Sequence, residues 1–390
     1  MWFDHSRHTH LASNTGTFSR VFLLLMLSTL LGVGVAACGG HSRTSTSSPT
    51  YGMRNTTPST ATGATSAPSA PSSKSKGTGF WTSPYTLDTH DFLSLLSCPS
   101  TQFCMAVDGS YGIVYTYNSG DWSSGVSVDP QGQPTSLSCP DVNFCVLVDS
   151  VGNAYIYRNG EWGPANTIEP SSVGSFNQLV SVGCSSSSWC VVSDLDGAAL
   201  TYDHGTWSSP TPIPGVAPGD IQSLACPTST WCMAADNSGD VTTLANGVWS
   251  RLTRVLPRNQ YLGYSLTSLS CPSAAFCLAL TKGMTLTAPY VLSFRGGQWS
   301  SPMEIATPAY WPQSVSCPTT TFCMSVGYEA RTVTDLGHYR VMFSLRRHGV
   351  WTAPAPVDIV SSHFTVSVSC ASTSFCVGRT SKSVFTWHSS

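Results

Sequence analysis

The chain has 390 residues, of which 41% are apolar and only 10% charged; 18 Lys and Arg stand against 20 Asp and Glu. A charge so sparse and balanced excludes a basic nucleic-acid face and an acidic interaction tail. Solubility must come from Ser, Thr, Asn and Gly.

Arg7 and Arg20 precede an apolar run over 21–37, VFLLLMLSTLLGVGVAA, that ends in Val35-Ala36-Ala37-Cys38. A charged segment, an apolar segment and small residues before a cut make a secretory signal. VAAC resembles the bacterial lipobox, which implies cleavage before Cys38 and lipid on its thiol. An uncleaved membrane helix is the alternative, at the short edge of what spans a bilayer. The expected organisation is therefore a signal peptide over 1–37, a linker over 38–78 and a folded domain over 79–390. The linker is rich in Ser, Thr, Pro, Gly and Ala and has too little bulky apolar surface to fold.

Residues 93–129 read as one all-β unit. Leu93–Cys98 is a strand, Pro99-Ser100 opens a turn, and Phe103–Val107 is a second strand. Asp108-Gly109-Ser110 breaks it, Gly112–Tyr117 alternates as a third, Asn118-Ser119-Gly120 turns, and Trp122–Val128 makes a fourth.

The unit recurs. Seven cysteine pairs have the same spacing, five residues between partners: Cys98/Cys104, Cys139/Cys145, Cys184/Cys190, Cys226/Cys232, Cys271/Cys277, Cys317/Cys323 and Cys370/Cys376. A period of about 40–45 residues suits four-stranded propeller blades. Export makes the surroundings oxidising, and no His stands at ligand spacing. The pairs are expected to be local disulfides, each flanking a tight five-residue hairpin turn. An aromatic always precedes the second cysteine (Phe103, Phe144, Trp189, Trp231, Phe276, Phe322, Phe375) and is expected to be a packing residue. Gly-x-Trp also recurs seven times, ending at Trp81, Trp122, Trp162, Trp207, Trp249, Trp299 and Trp351.

The two series are out of phase. The first Gly-x-Trp precedes every cysteine pair, and none follows Cys376. The segment 79–87 should then supply the fourth strand of the seventh blade and close a ring. The fold expected is an all-β, seven-bladed propeller.

The Ser-Cys-Pro-Ser-x-x-Phe-Cys unit, with its following Asp-x-x-Gly and Gly-x-Trp, resembles Cys-rich, sialidase-like or Asp-box-like propeller repeats of exported bacterial lipoproteins. The resemblance covers 79–390. Tyr202-Asp203-His204-Gly205-Thr206-Trp207 comes nearest an Asp-box but has one residue too few between Gly and Trp.

Ligand-binding candidates fall on the face carrying the second-to-third-strand turns: Asp108, Asp149, Asp194 and Asp236, with Asp196. Strand-ending turn chemistry accounts for them more simply. As carboxylates around a channel mouth they would suit Ca²⁺. The long loops of blades five and six add Tyr328, Glu329 and Arg331, and the linking segments add Arg258, Tyr261 and Trp311. Such a mixture suits a glycan or peptide surface. No catalytic residue, metal ligand set or cofactor motif stands out. The expected function is a membrane-anchored, monomeric extracytoplasmic binding module for a glycan, peptide or protein. A sialidase-like hydrolase and a structural envelope protein are the alternatives.

Overall fold

The computed structural model describes residues 79–131, 133–169, 178–256, 265–282, 289–305, 310–329, 339–361 and 365–389, all within the compact unit Ser72–Ser390. Every regular element among them is a strand. The strands form seven antiparallel sheets in a ring, a seven-bladed β-propeller. Cys38, Arg258, Tyr261 and Arg331 lie outside the described residues.

Blade one shows the plan. Its innermost strand A (Leu93–Ser100) pairs with B (Phe103–Asp108), and B with C (Ile113–Asn118). The outermost strand D comes in two short pieces, Asp121–Trp122 and Val126–Ser127, both paired to C. Strand A is longer than its sequence suggests and runs past Pro99 to Ser100. The turn between the cysteines shrinks to Thr101-Gln102, with Ser100 Oγ accepting from Gln102 N at 3.2 Å. Pro99 is tolerated because strand A is the edge strand of its sheet, where a missing N–H breaks no ladder bond.

All seven disulfides form, with Cα atoms 3.9–4.1 Å apart, closer than an ordinary cross-strand pair. They bridge neighbouring strands as expected, but lie deeper than the sequence shows: Cys104, Cys145, Cys190, Cys232, Cys277, Cys323 and Cys376 are each the second residue of a B strand and wholly buried. The reason is that strand B runs between A and C, and the adjoining blades cover its two faces. The bridges are therefore part of the core rather than staples on exposed hairpins.

The ring closes as the phase of the repeats requires. Phe80–Trp81 and Tyr85–Thr86 pair with Ser383–His388, placing Trp81 opposite Trp387 and Tyr85 opposite Val384. Thr82 N donates to Thr386 O at 2.8 Å.

Blade faces, not blade interiors, make the core. Tyr117, Tyr157, Tyr202 and Phe294 of the C strands each face the Gly-x-Trp indole of their own blade, with centroids 5.1–5.6 Å apart. The aromatic before the second cysteine reaches across to the next blade. Phe103 meets Tyr157 at 6.0 Å, Phe144 meets Tyr202 at 6.1 Å and Trp231 meets Phe294 at 6.1 Å. These contacts are packing, as the repetition implied. In blade six the C-strand aromatic is replaced by Arg346, buried and stacked 5.2 Å from the Phe276 ring centroid. The Gly of Gly-x-Trp is needed for its backbone. Gly160 and Gly205 have φ of +104° and +103°, and a Cβ there would meet nothing, so the turn conformation rather than crowding selects glycine.

A series of serines stitches the inner strands together. Strand A turns one edge to its neighbour around the channel, and that edge has no ladder partner. Serine hydroxyls fill the role. Cys98 N donates to Ser369 Oγ (2.9 Å), Cys139 N to Ser97 Oγ (3.1 Å) and Cys184 N to Ser138 Oγ (3.0 Å). Cys317 N donates to Ser270 Oγ and Cys370 N to Ser316 Oγ, both at 2.9 Å. The first of these joins blade seven to blade one. Where the residue before the first cysteine is Gly183 or Ala225, no hydroxyl is present to make the rung.

Candidate functional site

Strand A of each blade starts, and strand C starts, on the same face: Leu93 lies opposite Asp108, and Ile113 opposite Ser127. The B–C turns and the connections between blades therefore share one face, and the disulfide turns lie on the other. Asp108, Asp149, Asp194 and Asp236 end the four B strands on the first face, but all four are buried. Their carboxylates fold back to hold their own turns. Asp108 Oδ1 accepts from Ser110 N (2.7 Å) and Tyr111 N (2.9 Å). Asp149 Oδ1 accepts from Val151 N (2.9 Å) and Asn153 N (2.8 Å). Asp194 Oδ1 accepts from Ala198 N (2.7 Å), and Asp236 Oδ1 from Ser238 N (2.9 Å) and Asp240 N (2.6 Å). Each lies under the face rather than around an open mouth.

At three consecutive junctions a second acid, from the end of the preceding D strand, faces the turn aspartate. Between blades one and two, Tyr155 OH donates to Asp129 Oδ1 (2.9 Å) and Asn153 Nδ2 to Asp149 Oδ2 (2.9 Å). Burial, then the hydrogen bond and charge of Asp129 and the charge of Asp149, push the Tyr155 phenol well above its ordinary range. Between blades two and three the tyrosine is replaced by Leu200, and Glu169 faces Asp194. Burial, then the Asp194 charge, push the Glu169 carboxyl up to about 7, so this pair holds a proton where its neighbour holds a phenol. Between blades seven and one the pair is Asp88 and Asp108, joined by His90. These three are the one group among the described residues with metal-competent atoms within 4.8 Å of one another.

The channel mouth on this face opens into a cavity of about 420 Å³. Strand-A starts of blades one and two (Leu93-Ser94, Pro134-Thr135), Gln178 before blade three, and Thr365 and Ser381 of blade seven line it. Most of these side chains are small and polar. Asp91 and Phe92 stand on its rim, Asp91 with φ of +69° and accepting from Ser381 Oγ. Phe92 is 49% exposed and Tyr111 51%, their rings 6.1 Å apart, with His90 4.6 Å from Tyr111. His90 and Phe92 belong to the segment joining the closing strand to blade one, and Tyr111 to that blade's B–C turn. Sequence reasoning missed this aromatic rim because the segment looks like one more connection. The available signal was Phe92 and Tyr111 standing at turn positions, where blades two to four have Gln133, Gln178 and Asp220, and Val151, Asp196 and Ser238.

The candidates in blades five and six do not gather at that mouth. Tyr328 is buried, set edge-on to Tyr339 at 5.7 Å, and burial raises its phenol far above the ordinary range. Trp311 pairs with it across strands A and B of blade six, and Glu329 follows, both half-buried. Arg379 reaches the channel side from blade seven and donates through Nη1 to Leu93 O at 2.7 Å. Asp108, Asp149, Asp194 and Asp236 turn inward on this face, while Asp91 stands on the rim.

No protein-family model matches the chain, and no curated protein does. Solved structures do. The fold is similar to virginiamycin B lyase from Staphylococcus aureus, with TM-score 0.60 at 8% identity over 79% of this chain and 99% of that one. It is also similar to YCF48 bound to D1 peptide (0.58, 12% identity, 79% and 94%) and to the RRP9 WD40 repeats (0.58, 10%, 79% and 97%). At such identities the likeness establishes a propeller and nothing finer.

Proposed function

We propose that this chain is an exported, lipid-anchored binding propeller that takes a peptide segment of a partner protein at the channel mouth. The observation that carries the reading is the mouth itself. It is a depression of about 420 Å³ with half-exposed Phe92 in its wall and half-exposed Tyr111 beside Phe92, in a chain whose repeat aromatics otherwise pack between blades. Aromatic anchors beside adaptable polar groups suit a peptide chain, whose amides need partners and whose side chains need apolar contact. The peptide-bound state of YCF48 supports a peptide as the ligand class. The signal run ending at Cys38 and the polar linker over 38–78 support display at a membrane surface. The inward-turned aspartates and the buried Tyr328 speak against a sialidase-like hydrolase.

The test is a binding screen of the full chain against a peptide library and a glycan array, followed by Phe92→Ala and Tyr111→Ala. Peptide binding that weakens at least tenfold in both variants, with melting temperature unchanged, is expected. Binding confined to glycans, or peptide binding indifferent to both substitutions, would overturn the proposal.

A further inference from the structure

The junction between blades seven and one contains a group that packing does not explain. Asp88 and Asp108 are both fully buried, and His90 lies between them with its side chain 42% exposed. Asp88 uses its oxygens on the chain beside it: Oδ1 accepts from His90 N (3.0 Å) and Oδ2 from Phe92 N (2.9 Å). Asp108 Oδ1 holds its own turn. Asp108 Oδ2 is buried with no hydrogen-bond donor. His90 Nδ1 sits 3.2 Å from Asp88 Oδ1 and 3.4 Å from Asp108 Oδ2.

The next junction is an internal control. There the same pair of acids, Asp129 and Asp149, meets real donors: the Asn153 amide and the Tyr155 hydroxyl. At the first junction Ile113 occupies the Asn153 position and offers no donor. Tyr115 OH reaches Asp88 Oδ1 only at 3.4 Å. The imidazole takes the donors' place, where the second junction has Gln131. Two buried carboxylates and one imidazole nitrogen therefore converge there.

The spacing is informative too. A charge-assisted N–H···O bond would close to about 2.7–2.9 Å. A tetrahedral ion with bonds of about 2.0–2.1 Å has ligand–ligand edges of about 3.3–3.4 Å. The 3.4 Å from His90 to Asp108 matches such an edge, and the 3.2 Å hydrogen-bonded contact to Asp88 lies just inside it. We propose that Asp88, His90 and Asp108 form a three-ligand site for a divalent transition-metal ion of the Zn²⁺ class, with its open position toward solvent beside Tyr111. Three ligands with one imidazole are too few and too soft for Ca²⁺, which takes six to eight oxygens. Two ligands come from the segment that follows the closing strand and one from blade one. The bound ion braces the ring where its two ends meet.

The test is titration calorimetry and thermal melting of the untagged full chain with ZnCl₂, CaCl₂ and EDTA. Saturable Zn²⁺ binding is expected, with a rise in Tm of about 4 °C at 100-fold excess over Kd and no response to Ca²⁺. His90→Gln and Asp108→Asn should each weaken Zn²⁺ binding at least tenfold at an unchanged circular-dichroism spectrum. Asp108→Asn keeps Oδ1 as the turn acceptor, so it reports on the site should the His90 variant misfold. Co²⁺ in place of Zn²⁺ should give visible absorption bands that His90→Gln removes. Absent Zn²⁺ binding, Zn²⁺ binding at wild-type affinity in both variants, or a Ca²⁺-selective response would each overturn the assignment.

Discussion

The gaps in the serine series can be filled. Ala225 precedes the first cysteine of blade four, and its methyl packs against the cluster that contains Cys271 of blade five. In five of the other six blades a serine at this position takes the next blade's Cys N–H at 2.9–3.1 Å. Ala225→Ser therefore supplies an acceptor to Cys271 N without enlarging the side chain beyond one oxygen. A net intramolecular hydrogen bond is worth about 0.5–1.5 kcal/mol. Ala225 is half-buried, so the new hydroxyl gives up some hydration, and the lower half of that range, about 0.5–1 kcal/mol, is the expectation. An entropy of unfolding near 2 cal/mol/K per residue over roughly 310 residues converts this into about 1–1.5 °C in Tm. The mirror experiment is Ser270→Ala, which strips Cys317 N of its acceptor and should cost about 1–2 kcal/mol. Gly183→Ser is the discriminating control, because a Cβ there would lie 3.2 Å from Cys226 Sγ and 3.4 Å from its N. Crowding should cancel the hydrogen bond at that site. Scanning calorimetry and urea unfolding read all three. If Ser270→Ala is neutral and Ala225→Ser destabilises, the rungs do not hold the inner strands and the reasoning fails.

Other outcomes follow from the same contacts. Trp81→Ala removes the indole packed 5.0 Å from Phe385 and 5.5 Å from Phe343, and should cost about 3 kcal/mol in denaturant unfolding. Glu169 binds its proton more tightly in the folded state than in the unfolded chain, since its carboxyl is raised from 4.5 to about 7. Its stabilisation is complete below pH 4.5, declines as pH climbs towards 7 and is lost above that. Glu169→Gln should flatten the fall of Tm between about pH 4.5 and 7.5 and raise Tm at about pH 8. Cys38→Ser should move the chain from the membrane fraction to the medium, as fractionation with immunoblotting would show.

The architecture was legible because a propeller writes its period into the chain. One unpaired Gly-x-Trp at the start and a missing one at the end specified the closing partner of the last strand. The cysteine spacing named the bridges, but not that their B-strand halves lie inside the core, since that depends on which blades cover strand B. The serine before five of the seven first cysteines was equally visible, yet its role depends on which strand lies innermost and which edge it turns to the next blade. The turn aspartates show the limit. Their spacing gave their position at the end of strand B, while burial and the direction of each carboxylate depend on donors supplied two to four residues later. His90 carried no signal alone. Asp88 and His90 lie 18–20 residues from Asp108, and the pairing of Leu93 with Asp108 at the start of strand A carries them beside its turn.

Ring closure is the claim on which the channel mouth, the rim and the junction site all rest. Phe80 and His388 are register partners with rings 5.5 Å apart, and replacing both by cysteine offers a direct probe. Closing a loop of roughly 300 residues should add up to about 5 kcal/mol against unfolding. Non-reducing peptide mapping of Phe80→Cys/His388→Cys should recover one cross-linked peptide joining the two positions, beside the seven local disulfides, and reduction should lower Tm. Free thiols at both positions in the folded protein would contradict the ring.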